Sequence, residues 1–275
     1  MEYVLSIISI NYNNNAGLIK TMQSVINQTC KQFEYIIIDG GSNDGSKETI
    51  LQNTDHVSYW VSEKDKGIYN AMNKGILAAK GEYILFLNSG DILNEKNVLQ
   101  NCLPSLMQQT DFVYGNTFFD KNGKQAFVNY PDKLSFSFFL TDSLCHQSTF
   151  IKKSLFDDSL YNEDFKIISD WEFFVLKICK ENKTYKHIPV TVSVFDVAGA
   201  SAQQLAFNDR ERNMVIEKHF PAFAADYAYI KALKLRRVKQ LVFISQKPMA
   251  WKFLKAVINF ILLLIPSAKE KMWRS

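Results

Sequence analysis

The first 115 residues alternate short β-branched runs with helix-like stretches, and no other feature of the chain restricts its fold as much. Val4 to Ile10 reads as a buried strand, Ala16 to Gln28 as an amphipathic helix, Tyr35 to Ile38 as a strand, and Lys47 to Gln52 as a short helix after a Gly/Asp/Ser turn. Val57 to Val61 gives a third strand, Ile68 to Ala79 a helix and Tyr83 to Leu87 a fourth strand. This βαβαβαβ order predicts an α/β fold: a mostly parallel sheet with helices on both faces. Ligands of such sheets bind beyond the carboxyl ends of the strands. The polar groups at those ends therefore carry the functional question: Asn11-Tyr12-Asn13, Asp39 to Asp44, Ser62 to Lys66 and Asn88 to Asp91.

After Asp111 the pattern changes. Phe112 to Thr117 and Gln125 to Asn129 flank the turn Asp120-Lys121-Asn122-Gly123, as in a hairpin. Aromatic residues from Phe136 to Leu140 lead to Cys145-His146-Gln147 and a strand Ser148 to Ile151. A helix is expected from Ile168-Ser169-Asp170 to about Cys179, then strands near Tyr185 to His187 and Thr191 to Phe195. These elements are expected to complete one mixed sheet in a domain over 1–200, the half 1–115 carrying the polar strand ends and residues 116–200 walling off an acceptor side.

Residues 201–275 read as a separate helical region of different composition. From Lys231 onward there are eleven basic residues and one acidic residue, a tail of +10, so residues 1–230 carry −6. Phe253 to Ile265 is apolar apart from Lys255 and Asn259, too short for a span that needs about 20 apolar residues. Its basic flanks, with Trp251 before and Trp273 after, suit a helix lying in the interface of an anionic membrane; the plain alternative is a helix packed on the body. The start lacks a basic segment, a long apolar run and a cleavage site, so export is not expected. Four cysteines without a C-x-x-C pair argue against a disulfide framework or structural zinc. The expected location is cytoplasmic, peripheral on the inner face of the membrane.

The motifs narrow the chemistry. Neither a G-x-G-x-x-G fingerprint nor a G-x-x-x-x-G-K-[ST] loop is present. Asp39 stands where a buried strand ends and is followed by two glycines, so it can meet ribose hydroxyls or base N–H groups; as a plain βα turn, Asp44 would cap the next helix. Asn88, Ser89 and Asp91 lie just past another strand, where Asp91 can help to hold a divalent cation on diphosphate oxygens or simply close a turn.

Taken in order, four stretches resemble family 2 glycosyltransferases, the inverting group with the GT-A fold: LSIISINYN from Leu5, SVINQT from Ser24, FEYIIIDGGSNDG from Phe33, and SEKDKGIYNAMNKGILAAKGEYILFLNSGD from Ser62 to Asp91. The chain is most similar to the branch serving bacterial exopolysaccharide, capsule and lipopolysaccharide synthesis, as in colanic-acid type enzymes. The resemblance implies Asn11 and Tyr12 in the first nucleotide loop, Asp39 at the base or ribose, and Asp65, Lys66 and Ser89 around nucleotide and diphosphate. It implies a Mn²⁺ or Mg²⁺ cofactor at Asp91, although the family's D-x-D-D reads Asn88-Ser89-Gly90-Asp91, with one carboxylate. Gly40 replaces a frequent second acid, so the base (UDP, GDP or dTDP) stays open. Asp170 matches the catalytic acid that takes the acceptor proton, with Glu163 and Asp164 as rivals; otherwise it caps a helix whose Trp171, Phe173 and Phe174 lie in the core. His146, Gln147 and Trp171 are expected on the diphosphate and acceptor side. The implied partners are a nucleoside diphosphate sugar, a lipid-linked saccharide acceptor and an anionic membrane, with no nucleic acid. The alternatives are a sugar nucleotidyltransferase, disfavoured because Asn11 to Gly17 holds no Arg or Lys, and a non-catalytic saccharide-binding or scaffold protein.

Overall fold

The computed structural model describes residues 3–197, 205–233 and 236–264, and the chain divides into two compact units, Met1–Pro221 and Ala222–Ser275. The first unit begins with β1 (Leu5–Asn11), α1 (Asn15–Ile26), β2 (Phe33–Asp39), α2 (Ser46–Leu51), β3 (Tyr59–Ser62), α3 (Ile68–Ala78) and β4 (Tyr83–Phe86). It continues through β5 (Ile92–Leu93), α4 (Val98–Leu106), β6 (Phe112–Lys121), β7 (Lys124–Val128), α5 (Phe136–Phe139), β8 (Thr149–Lys152), α6 (Ser169–Val175), β9 (Tyr185–Asp196) and α7 (Leu205–His219).

The strands form one mixed sheet in the order β3-β2-β1-β4-β8-β6-β9-β5, with β7 on β6. The first four are mutually parallel, β8 runs antiparallel to β4 and β6, and β9 is parallel to β6. Every residue of β1 is buried, which requires packing on both faces and explains its apolar run. Gly75 lets α3 lie directly on this strand, since a Cβ there would come within 2.5 Å of Ile8 Cγ2. The chain moves outward from β1 to β2 and β3, then returns to place β4 on the other side of β1. That reversal opens a crevice beyond the carboxyl ends of β1 and β4, where an α/β sheet binds its ligand.

Several expectations shift. The turn at Asp91 leads into β5, where Ile92 and Leu93 pair with Val194 and Ser193 of β9, and α4 begins only at Val98. The two late strands are one, β9, whose register against β6 slips between Tyr114 and Thr117. The helix after Ile168 is α-helical only to Val175 and ends in a π-helical turn, Leu176–Lys180. The division between the compact units falls after Pro221, and α7 belongs to the first of them.

The second unit holds α8 (Ala224–Leu233), α9 (Arg236–Ser245) and α10 (Pro248–Leu263). Pro248 opens α10, where a missing N–H costs nothing. Met249, Phe253, Val257, Phe260 and Leu264 recur at helical spacing and are exposed, Phe253 by 73% and Phe260 by 63%. Among the described residues no helix is long and apolar enough to cross a membrane. Lys234 and the final basic flank, including Lys269, Lys271, Trp273 and Arg274, lie outside the described residues.

Candidate active site

Asn11 and Asp39 end neighbouring strands and meet directly: Asn11 Nδ2 donates to Asp39 Oδ1 at 2.7 Å. Asp39 also accepts from Ser42 N–H (2.9 Å), Ser42 Oγ (2.6 Å) and Ser62 Oγ (2.6 Å). Burial pushes its pKa up, but the hydrogen bonds from Ser42, Ser62 and Asn11 outweigh this and hold the carboxyl below its ordinary value. Asp39 thus ties three loops together as an anion. Its side chain is fully buried, so it shapes the loop bearing Asn11 and Tyr12 from beneath.

Tyr12 is exposed beside this knot. A Cβ at Gly40 would lie 3.1 Å from the Tyr12 ring and 3.0 Å from Asp65 Oδ2, so Tyr12 and Asp65 flank the glycine that replaces an acid. Asp65 is itself paired with Lys74 Nζ at 2.5 Å, and Lys74 also reaches Glu63 at 2.8 Å. Lys66 is exposed, and its backbone N–H donates to Asn70.

The loop after β4 carries the second half of the crevice. Asp91 is buried, accepting from Gln147 Nε2 at 2.8 Å and from the Asp196 N–H at 3.0 Å. Burial raises its pKa to about 6 against those hydrogen bonds. Asn11 Oδ1, Asn88 Oδ1 and Ser89 Oγ, on the ends of β1 and β4, are buried with no partner. An unpaired buried polar atom costs about 1–3 kcal/mol, so three together mark a place prepared for a ligand. These oxygens and the Asp91 carboxylate are hard donors of the kind Mg²⁺ and Mn²⁺ take, with phosphate and water completing the shell. No group of three or more His, Cys, Asp or Glu that could hold a metal forms among the described residues, so a cation here would depend on ligand oxygens.

Opposite lie His146 and Asp170. His146 opens the turn His146–Ser148, secured by the Cys145 carbonyl, which accepts from Ser148 N–H (3.0 Å) and Thr149 Oγ1 (2.8 Å). Asp170 sits in the first turn of α6. His146 Nδ1 lies 2.8 Å from Asp170 Oδ2, while Asp170 Oδ1 accepts from Tyr69 OH (3.0 Å) and Trp171 N–H (2.9 Å). Burial pushes the Asp170 pKa up, yet His146, Tyr69 and the Trp171 N–H together keep it below the carboxylate norm. The far ring nitrogen, His146 Nε2, faces Asn88 Nδ2 at 3.2 Å.

The structure therefore joins Asn11 with Asp39, Asp91 with Gln147, and His146 with Asp170. Gln147 faces Asp91 and is buried, a support for that carboxylate rather than an open contact surface. Trp171 is 1% exposed, its indole N–H donates to the Phe139 carbonyl at 2.7 Å, and Arg212 of α7 lies over its ring, the surroundings of a core residue. Glu163 is occupied by Asn70 and Asn73 of α3. Tyr69, Asp196 and Glu211 escaped notice in the sequence. Tyr69 lies inside a quoted motif, but Glu211, which accepts from Lys166 and Ile167 N–H and steadies the approach to Asp170, carries no local signal.

The sequence model described as Glycosyl transferase family 2 matches residues 6–156. A PGL/p-HBAD biosynthesis glycosyltransferase of Mycobacterium tuberculosis is 26% identical over 79% of this chain and 82% of its own length. An uncharacterized glycosyltransferase of the same species is 29% identical over 79% of this chain and 85% of its own. Among solved structures, S. aureus TarS 1-349 in complex with UDP-GlcNAc superposes with TM-score 0.63, at 16% identity, over 88% of this chain and 78% of that one. The mannosyltransferase PcManGT of Pyrobaculum calidifontis, in complex with GDP-Man and Mn²⁺, gives TM-score 0.62 at 14% identity, over 96% of this chain and 81% of that one. The sheet, its crevice and these matches agree: the chain is a glycosyltransferase with the GT-A fold and belongs to glycosyl transferase family 2.

Proposed function

We propose that this glycosyltransferase moves a sugar, with inversion, from a nucleoside diphosphate sugar to a lipid-linked saccharide at the inner membrane face, in bacterial surface polysaccharide synthesis. The observation that carries the site assignment is the crevice itself: three partnerless buried polar atoms just past the ends of β1 and β4, with His146 beside Asn88 and paired in turn with the Asp170 carboxylate. Asn11, Tyr12, Asp39, Asp65 and Lys66 border the nucleotide, and Ser89 the diphosphate. Asp170 supplies the carboxylate that inverting transfer requires as the acceptor oxygen attacks and the diphosphate departs. A divalent cation, when bound, would be held by Asp91 and would stabilise charge on the departing diphosphate.

Nucleoside diphosphates with Mn²⁺ or with EDTA test the donor site by thermal stabilisation. Ligand at about 100 times its Kd should add roughly 2.7 kcal/mol, and only for the correct base. No stabilisation by any nucleotide, in a folded sample, counts against the donor site and favours the non-catalytic reading.

The acceptor side of the proposal rests on the tail. α10 has sixteen residues, about 24 Å at 1.5 Å per residue, and an exposed apolar stripe beside a +10 segment. Apolar burial together with roughly 1 kcal/mol per basic residue near an anionic surface suits a helix lying on the membrane. Vesicles containing phosphatidylglycerol should sediment the full chain, and deletion of residues 250–275 should release it; partition unchanged by the deletion removes the membrane role.

A further inference from the structure

The helix that presents Asp170 has a weak start of its own. α6 follows Ile168, an apolar residue at the position where helices favour a capping oxygen, and Ile168 supplies no side-chain cap. The missing support comes from α7. Glu211, 8% exposed, accepts from the Lys166 N–H at 2.9 Å and the Ile167 N–H at 3.2 Å, the two residues that lead into Ile168. The next residue, Arg212, lies 4.7 Å over the ring of Trp171. Val215 and Ile216, about one turn further on, are each 1% exposed, so α7 is itself packed firmly into the first unit. α7 therefore grips the chain on both sides of Asp170.

The carboxylate is fixed separately, from α3. Tyr69, in the first turn of that helix, donates its OH to Asp170 Oδ1 at 3.0 Å, and the Trp171 N–H donates to the same oxygen at 2.9 Å. Burial and the adjacent carboxylate raise the Tyr69 pKa well above its ordinary value, so the phenol stays a donor. An ionised carboxylate offers about four lone-pair directions, roughly two on each oxygen. Two donors thus fill Oδ1. Oδ2 has one contact, His146 Nδ1 at 2.8 Å, and keeps a direction for one more donor. The last torsion of an aspartate is broad and nearly two-fold, so without Tyr69 little would keep the two oxygens from exchanging places.

We infer, on the basis of the proposed function, that Oδ2 of Asp170 takes the acceptor proton and that Tyr69 and Glu211 are the positioning residues that aim it. Tyr69 holds the carboxylate's rotation, and Glu211 holds the backbone that carries it. As the acceptor oxygen forms its bond to the anomeric carbon, its proton passes to Oδ2. The bond from that carbon to the diphosphate oxygen breaks, and its electron pair leaves with the nucleoside diphosphate. The neutral carboxyl then returns its proton to water.

The test uses the full chain with UDP-GlcNAc, UDP-glucose and GDP-mannose, water or a simple alkyl glycoside as acceptor, and nucleoside diphosphate release as readout. Tyr69→Phe removes one hydroxyl, while Glu211→Gln keeps the side chain's size but turns a donor toward one of the two N–H groups. Each should lower kcat by about 10–100-fold and leave nucleotide Kd and donor KM within about threefold, since a misplacement of about 1 Å can cost about 10²-fold. The same two changes are then made in Asp170→Asn and measured at high enzyme concentration. With no carboxylate left to aim, each should cost less than about threefold more, whereas a merely structural role costs the same factor in both backgrounds. Nucleotide-binding stoichiometry reports the folded fraction, and Tyr69→Phe decides alone if Glu211→Gln does not fold. Wild-type kcat in these variants, or losses that persist in full in Asp170→Asn, overturns the positioning role and leaves Asp170 as the base. Wild-type turnover in Asp170→Asn, or a wild type that turns over no donor, overturns the proposed function itself, and this inference with it.

Discussion

Asp170→Asn is expected to give a folded protein that binds nucleotide normally and has lost about 10³–10⁴-fold in kcat. The substitution is nearly isosteric. The asparagine oxygen can keep the bonds from Tyr69 OH and Trp171 N–H, which both end on Oδ1 in the wild type. Its amide nitrogen then replaces Oδ2, the atom facing His146 Nδ1. Two donors cannot face each other, so the contact that holds His146 against α6 is lost. Carboxylate charge and proton acceptor are lost in one step. Kinetics with donor saturating, alongside calorimetric nucleotide binding, check this; turnover within about tenfold of wild type would move the chemistry away from Asp170.

Asp39→Ala should be the most destabilising single change at the nucleotide end, by about 3–5 kcal/mol in urea unfolding. It strands the Asn11 amide, the Ser42 N–H and the Ser42 and Ser62 hydroxyls, all of which end on a carboxylate with no solvent exposure. The pH dependence has a definite sign. Because the folded pKa lies below the ordinary 3.8, the stabilisation is fully present above about pH 4 and is lost as pH falls through the folded value. The gap between wild type and variant should therefore stay constant down to mildly acidic pH and narrow below about pH 4. A gap that widens in acid would show that Asp39 is not held as an anion. Nucleotide affinity should fall in parallel, since the same bonds shape the loop bearing Asn11 and Tyr12.

Much of the first unit was legible because its signals are local. Apolar runs such as Leu5–Asn11 and Phe33–Asp39 can only be buried strands, and the helical stretches between them force parallel pairing. From that order alone the crevice beyond β1 and β4 follows, and with it Asn11, Asp39, Asn88 and Asp91. The motifs in series also placed the chain in its family, as the match over residues 6–156 bears out.

What the sequence could not determine was which polar groups satisfy one another. Asp170 and His146 are 24 residues apart, Tyr69 and Asp170 101, Asp91 and Asp196 105, and Lys166 and Glu211 45. No propensity or spacing encodes such pairs, because each depends on how β8, α6 and α7 pack against the parallel strands. Trp171 shows the same limit: beside Asp170 it reads equally as a ligand contact or as core, and only the Phe139 carbonyl and Arg212 decide for core. Local periodicity determined the sheet and where it opens. Only tertiary packing decided which oxygens and nitrogens remain free there to meet a substrate, because every buried polar atom must find a partner across the fold or wait for one from outside.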